Sequence, residues 1–299
     1  MCLDILESNS LCRLFDFSIL TSTSPISLSI PLNVSVRFFL LSSAEPWQDY
    51  DWRSDQVDVI RTQLFRFWNR SFDTISLPET DQNLSKLDHW LLSKLNQVIE
   101  KTTSSLNHFE TRTASQAVFY ELEDHLRWYH RRNSSSQSSW AIKEVLRSRL
   151  IMLSPFMPFL SNELHELLTG EPLDAAKWPS PSSKFNSPLT EIEEDLIRTL
   201  LSDIHEVRNV INKDLSTIRI YTPAAWKYRL LETLIDNNLD MGTTMSILMK
   251  DEGMRKFGNE IKRFSTTLLA YLRQQPTDRL SLLKSIKEFD LYSSAMPFF

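Results

Sequence analysis

The clearest pattern in the chain is a series of stripes at helical spacing that begins after Trp52. Val57, Ile60, Leu64, Phe67, Ser71 and Ile75 recur every three or four positions, which aligns side chains on one face of an α-helix. Leu77-Pro78 ends this segment, because proline lacks an amide donor and restricts the residue before it. A second helix is expected from about Ser85 to Phe109, with Leu87, Leu91, Leu95 and Val98 on one face and Ser85/Asp88 as its cap pair. A third opens at Thr113 with Gln116 three positions on, a capping-box spacing. It turns Phe119, Leu122, Leu126 and Tyr129 inward and ends near Asn133. After the serine-rich stretch 133–139, a fourth helix spans Trp140 to Leu153 and a short fifth stops before Gly170, a residue suited to the left-handed position that closes helices. Short loops between successive helices predict an antiparallel bundle.

Pro172, Pro179, Pro181 and Pro188 mark a linker. Beyond it, Thr190 and Glu193 have the spacing of a cap, and Ile192, Leu196, Leu200, Ile204, Val207 and Ile211 follow at helical period. Ser216–Thr222 changes period: Ile218 and Ile220 alternate with Thr217, Arg219 and Tyr221, the signature of a half-buried strand. Helices are expected again from Pro223 through Arg273 and from Leu280 to Leu291. The first 35 residues, rich in serine and leucine and interrupted by Pro25 and Pro31, are expected to be irregular. The fold class is therefore mainly α: an antiparallel helical bundle over 36–180, followed by a small α/β C-terminal extension over 181–299.

Composition narrows the function. The chain has only four glycines, and no two are spaced to build a GxGxxG or P-loop phosphate cradle. Two cysteines leave no disulfide framework or cysteine-rich zinc site. His165-Glu166 and His205-Glu206 each begin an HExxH motif, but the second histidine is replaced by Thr169 and Asn209. Two imidazoles one turn apart are needed to share a zinc ion, so no metal is expected. No apolar run reaches the ~18–20 residues of a membrane span, and the acidic start carries no basic n-region; no membrane partner and a cytoplasmic location are the default expectation. The net charge of −5 hides alternating blocks. His125–Arg149 holds six basic residues and one acidic, Asn186–Asp214 three and seven, and Lys250–Lys287 nine and four. Such blocks permit basic faces on an acidic protein.

One stretch is more specific. Val36-Arg37-Phe38-Phe39-Leu40-Leu41-Ser42-Ser43 and the following Ala44-Glu45-Pro46-Trp47-Gln48-Asp49-Tyr50-Asp51-Trp52 resemble the segment that follows the catalytic domain in class Ia leucyl, isoleucyl and valyl synthetases. Phe65-Arg66-Phe67-Trp68-Asn69, Leu87-Asp88-His89-Trp90-Leu91-Leu92, Phe119–Tyr129 and Leu153-Ser154-Pro155-Phe156-Met157-Pro158-Phe159 are similar to successive helices of the same family's bundle. Five such segments in the right order make the resemblance strong. Arg127-Trp128-Tyr129, and later Ile218–Thr222 with Trp226-Lys227, resemble the leucyl enzyme of archaeal and eukaryotic type. The resemblance runs from about Val36 to Leu272. It departs at Phe159, where the family usually has histidine, and at Asn33-Val34-Ser35, where it has Gly-Ala-Asp. Neither a HIGH nor a KMSKS signature is present.

The resemblance implies the C-terminal, tRNA-binding part of a leucine-tRNA ligase. It implies no cofactor in this chain: ATP and magnesium would belong to the missing catalytic domain, and the chain alone would be inactive. The implied partners are leucine tRNA and a separately encoded synthetase catalytic half. Phosphate binding needs exposed cations, and the candidates are Arg127, Arg131 and Arg132 in the third helix, Arg147 and Arg149 in the fourth, and Lys262 and Arg263 near the end. Trp128 and Tyr129 fit a core better than a base-stacking platform. A non-catalytic relic, or a helical protein-interaction module derived from the same fold, is the alternative.

Overall fold

The computed structural model describes residues 32–49, 51–78, 83–133, 137–211 and 218–298. The expected stripes become buried faces. Helix α1 (Leu32–Ser43) buries Val34, Phe38 and Phe39. Helix α2 (Ser54–Ile75) buries Val57, Ile60, Leu64, Phe67 and Ser71. Helix α3 (Lys86–Asn107) opens with the expected cap: the Asp88 amide donates to Ser85 Oγ at 3.2 Å, and the Ser85 amide donates to the Asp88 carboxylate at 2.7 Å. Two otherwise orphaned donors are thereby satisfied. The irregular segment expected over 1–35 lies outside the described residues as far as position 31, and from Leu32 the chain is helical.

The third expected helix is built differently from its forecast. Helix α4 (Thr111–Ser115) starts two residues before Thr113 and has no side-chain cap of its own. Glu45, from the loop after α1, supplies one: its carboxylate accepts from the Arg112 amide at 3.1 Å, the Thr113 amide at 3.0 Å and the Thr113 hydroxyl at 2.8 Å. A carboxylate at a helix N-terminus also meets the positive end of the macrodipole. Gln116–Glu121 then widens into a π turn before α5 (Leu122–Arg132) resumes. The wider i→i+5 pattern displaces carbonyls from the ordinary ladder. Two of them are recovered by Arg149, whose Nε donates to Val118 O at 3.1 Å and Nη2 to Phe119 O at 2.6 Å.

Helix α6 (Ser139–Leu153) is capped by Ser138 Oγ, which accepts from the Ala141 amide at 3.3 Å. Helix α7 (Pro158–Thr169) ends at Gly170 with φ 75°, the left-handed turn that favours glycine. Helix α8 (Pro188–Ile211) begins ahead of Thr190, which is buried inside the first turn instead of capping it. Ile197 and Leu201 of α8 join the core formed by α1–α7, although the sequence reading placed them in the extension. Arg37 ties this core together end to end, donating from Nε to Phe156 O at 3.1 Å and from Nη2 to Pro155 O at 3.0 Å.

A second, smaller cluster forms from α9 (Ala225–Asp236), α10 (Met241–Leu248), α11 (Glu252–Arg255), α12 (Gly258–Arg273) and α13 (Thr277–Ser285). Its buried members are Leu230, Leu234, Leu248, Met254, Ile261 and Leu272. Helix α14 (Glu288–Ala295) returns to the bundle, burying Ala295 and packing Leu291 and Tyr292 against it. The expected strand does not form. Ser216 and Thr217 lie outside the described residues, Ile218–Thr222 has no regular structure, and no strand occurs among the described residues. A strand is completed by hydrogen bonds to a neighbour, and the described residues supply none.

Candidate nucleic-acid interface

The seven cations expected to touch phosphate have divergent surroundings. Arg149 is 3% exposed. Besides holding the π-turn carbonyls, it donates to Glu123 at 2.8 Å and lies over the Phe67 ring at 4.7 Å. Arg132 donates from Nε and Nη2 to the two oxygens of Glu194 at 3.0 and 3.1 Å, and Trp128 Nε1 donates to the same carboxylate at 2.9 Å. Both partners of that pair are nearly buried, with side-chain exposures of 11% and 7%. These two expectations need correction: Arg132 is held by buried Glu194 and Arg149 by the partly exposed Glu123, and neither guanidinium is free at the surface.

The other five remain on the surface. Arg127 pairs with Asp124 one turn away, and Arg147 with Glu144 at 2.8 Å, arrangements worth little because water competes for both charges. Arg131 is exposed, with its guanidinium 5.1 Å from the centre of the Phe298 ring. Lys262 and Arg263 are adjacent and exposed on α12, and neither has an acidic partner among the described residues. Trp128 and Tyr129 are buried, as expected of core residues, although only Tyr129 lay on the apolar stripe. The Tyr129 hydroxyl donates to Asp88 and accepts from the Ser138 amide at 3.1 Å.

Arg127 shares a groove of about 490 Å³ with residues the sequence reading did not single out. Arg70 and Thr74 of α2, His130 of α5 and Gln137 stand along it, and Leu126, Ile142 and Leu146 add apolar surface. Arg70 was findable in principle: it falls between the stripe positions of α2, where the helical period puts solvent. Its ion pair with Glu123 was not, because those residues are 53 positions apart. Burial pushes the Glu123 carboxyl up, but Arg149, Arg70 and Arg127 around it outweigh this and hold it below the usual range. The groove's charges are thus largely matched internally.

Two histidines are structural. His165 is buried with Nδ1 3.0 Å from the Glu171 carbonyl, so the HExxH fragment closes the end of α7. Burial, with Lys94 and Arg198 close by, lowers the His125 imidazole to about 4 against the pull of Glu121; its ring stands edge-on to Trp90 at 5.8 Å. No group of three metal-ligating side chains exists among the described residues. Lys262 and Arg263 offer exposed cations for a polyanion.

Residues 88–221 match the family described as the anticodon-binding domain of tRNA ligase. The leucine–tRNA ligase of Pyrococcus abyssi is 34% identical over 241 residues, covering 78% of this chain and 25% of the relative. That of Pyrococcus horikoshii is 34% identical over 261 residues, covering 85% and 27%. A solved ternary complex of Agrobacterium radiobacter K84 agnB2 LeuRS with tRNA and LeuAMS aligns with 64% of the chain and 27% of its own, at a TM-score of 0.44 and 21% identity. The chain therefore spans about a quarter of the length of the curated relatives it matches. It carries the anticodon-binding domain of the tRNA ligases and belongs to the leucine–tRNA ligase family.

Proposed function

We propose that this chain binds leucine tRNA and holds it for aminoacylation carried out by a catalytic part of the ligase outside residues 1–299. The observation that carries this reading is the pair Lys262–Arg263, two adjacent exposed cations without acidic partners among the described residues, on a chain whose residues 88–221 match the anticodon-binding domain. Exposed cations displace counterions from phosphate, and that release drives association. Arg70, Arg127, Arg131 and Arg147 extend the contact surface along the bundle. ATP, magnesium and the reaction itself are assigned to the catalytic part. An apolar groove of about 590 Å³ between α1 and α7 supports docking of that part. Val36, Leu40, Leu41, Met157 and Phe159 line it, and Phe159 is 77% exposed.

Filter binding of leucine tRNA across a salt series tests the reading. With about four phosphate contacts, a fourfold rise in salt should weaken binding on the order of a hundredfold. Lys262→Ala with Arg263→Ala should flatten the logarithmic slope by roughly 1.4 to 1.8, and Arg127→Ala with Arg131→Ala should flatten it as well. Absence of binding at low salt would favour the interaction-module alternative.

A further inference from the structure

Helix α14 and the turn Met296–Phe298 after it fold back onto the bundle and finish against α5. Ala295 is fully buried, and Leu291, Tyr292 and Phe298 pack on the bundle core. The Phe298 ring meets Trp128 edge to face, with 5.6 Å between centroids and 80° between planes. The guanidinium carbons of Arg132 and Arg131 lie 4.9 and 5.1 Å from the centre of the same ring. Two cations thus share one ring, but they differ in what else holds them. Arg132 is neutralised by both oxygens of Glu194, which also accepts from Trp128. Arg131 is exposed and has no acidic partner among the described residues.

We propose that Phe298 is a positioning residue for tRNA binding, holding the Arg131 guanidinium from one side so that its outward donors take a phosphate. The inference rests on the tRNA-binding reading above and deepens it. A guanidinium is planar, so it can rest on an aromatic ring while its N–H fork stays available to an oxyanion. A long side chain loses rotamer freedom when it engages a ligand, and one already held in place loses less. The ring can serve as a support because its own surroundings are fixed. Trp128, Glu194 and Arg132 are hydrogen-bonded to one another beside it, and the Arg132 and Glu194 side chains are almost withdrawn from water. Arg127 is paired with Asp124 and Arg132 with Glu194. Arg131 is therefore the α5 arginine whose charge is left for a polyanion.

Filter binding of leucine tRNA to the whole chain across a salt series tests this. Phe298→Leu keeps an apolar side chain and removes the ring. It should weaken binding about two- to fivefold, the worth of an exposed cation–ring contact, and leave the logarithmic salt slope unchanged because no charge is lost. Phe298→Tyr, which retains a ring, should bind as the parent does. Arg131→Ala should flatten the slope by roughly 0.7 to 0.9, and Phe298→Leu added to it should cause no further loss. An equal loss from Phe298→Leu with and without Arg131 overturns the proposal, because the ring would then act only through the fold. Parent affinity in Phe298→Leu overturns it too. The contact itself is read without tRNA: in the free chain the Arg131 side-chain NMR signals should carry a ring-current shift that Phe298→Leu removes. Without that shift the proposal fails even where tRNA binds. With the shift but no tRNA binding, the tRNA-binding reading fails and takes the proposal with it.

Discussion

The bundle and the C-terminal cluster are both helical, but they treat charge in opposite ways. The bundle draws two arginines inward. Arg149 closes a π turn and Arg132 locks α5 to α8 through Glu194, while Arg37 joins α1 from the surface to the carbonyls before α7. Its core includes fully buried Trp90, Tyr129, Phe38 and Phe156, and beside it the Arg149 and Arg132 side chains are almost withdrawn from water. The C-terminal cluster buries six apolar residues and, beside them, the neutral Thr244 and Ser265, and it leaves Lys262 and Arg263 in solvent. A large core can bury a guanidinium because several acceptors converge on it; a small one lacks the depth. A basic block in the sequence thus has two fates, and the size of the local core selects between them.

The strongest break in this comparison is Arg149→Met. Removing the buried guanidinium leaves two π-turn carbonyls without their donor, at about 1–3 kcal/mol each, and Glu123 with Arg70 as its remaining partner; about 3–5 kcal/mol of stability should be lost, as measured by urea denaturation. A loss under about 1 kcal/mol, the level of an exposed pair, would show that the bundle does not depend on buried cations.

Acid comes next. His125 titrates near 6.5 when unfolded and is lowered to about 4 when folded, so the folded state is the one that resists protonation. The stabilisation is complete above pH 6.5 and declines as pH falls to about 4, reaching a loss of about 3 kcal/mol. His125→Phe should flatten the difference between pH 6.5 and pH 4 denaturation curves. An unchanged slope would place the acid sensitivity elsewhere.

Leu234→Ala tests the smaller core. Emptying a fully buried leucine site costs about 2–3 kcal/mol where neighbours can relax. The loss should appear as faster amide exchange confined to α9–α13, with α2–α6 unaffected. Uniform acceleration would mean that the two clusters unfold as one unit. The smallest stability effect is expected for Lys262→Ala with Arg263→Ala, within about 0.5 kcal/mol of the parent, although tRNA binding at low salt should weaken on the order of tenfold.

Several of the segments that made the family legible turn out to pin the fold. Arg37 of the Val36–Ser43 stretch reaches the Pro155-Phe156 carbonyls of another such segment. Glu45 caps α4 from 67 residues away, and Asp88 both caps α3 and accepts from Tyr129. They stand out because few residue types satisfy such geometry. The candidate interface was less legible. Arg127, Arg131, Arg132, Arg147 and Arg149 belong to one basic block, and nothing in their spacing separates the surface members from the buried ones. Arg70 escaped notice because its importance lies in a groove formed by three helices.

The sequence by itself determined the local elements: the stripe of α2, the Ser85/Asp88 cap, the stop at Gly170 and the apolar face of α3. Each depends on residues within a few turns of one another, so the pattern contains the physics. Tertiary structure alone decided which helix ends are capped from a distance, where the π turn sits, which arginines are buried, and that Ile218–Thr222 lacks a neighbour. Those outcomes depend on acceptors tens of positions away, and a periodic pattern holds no information about which acceptor arrives.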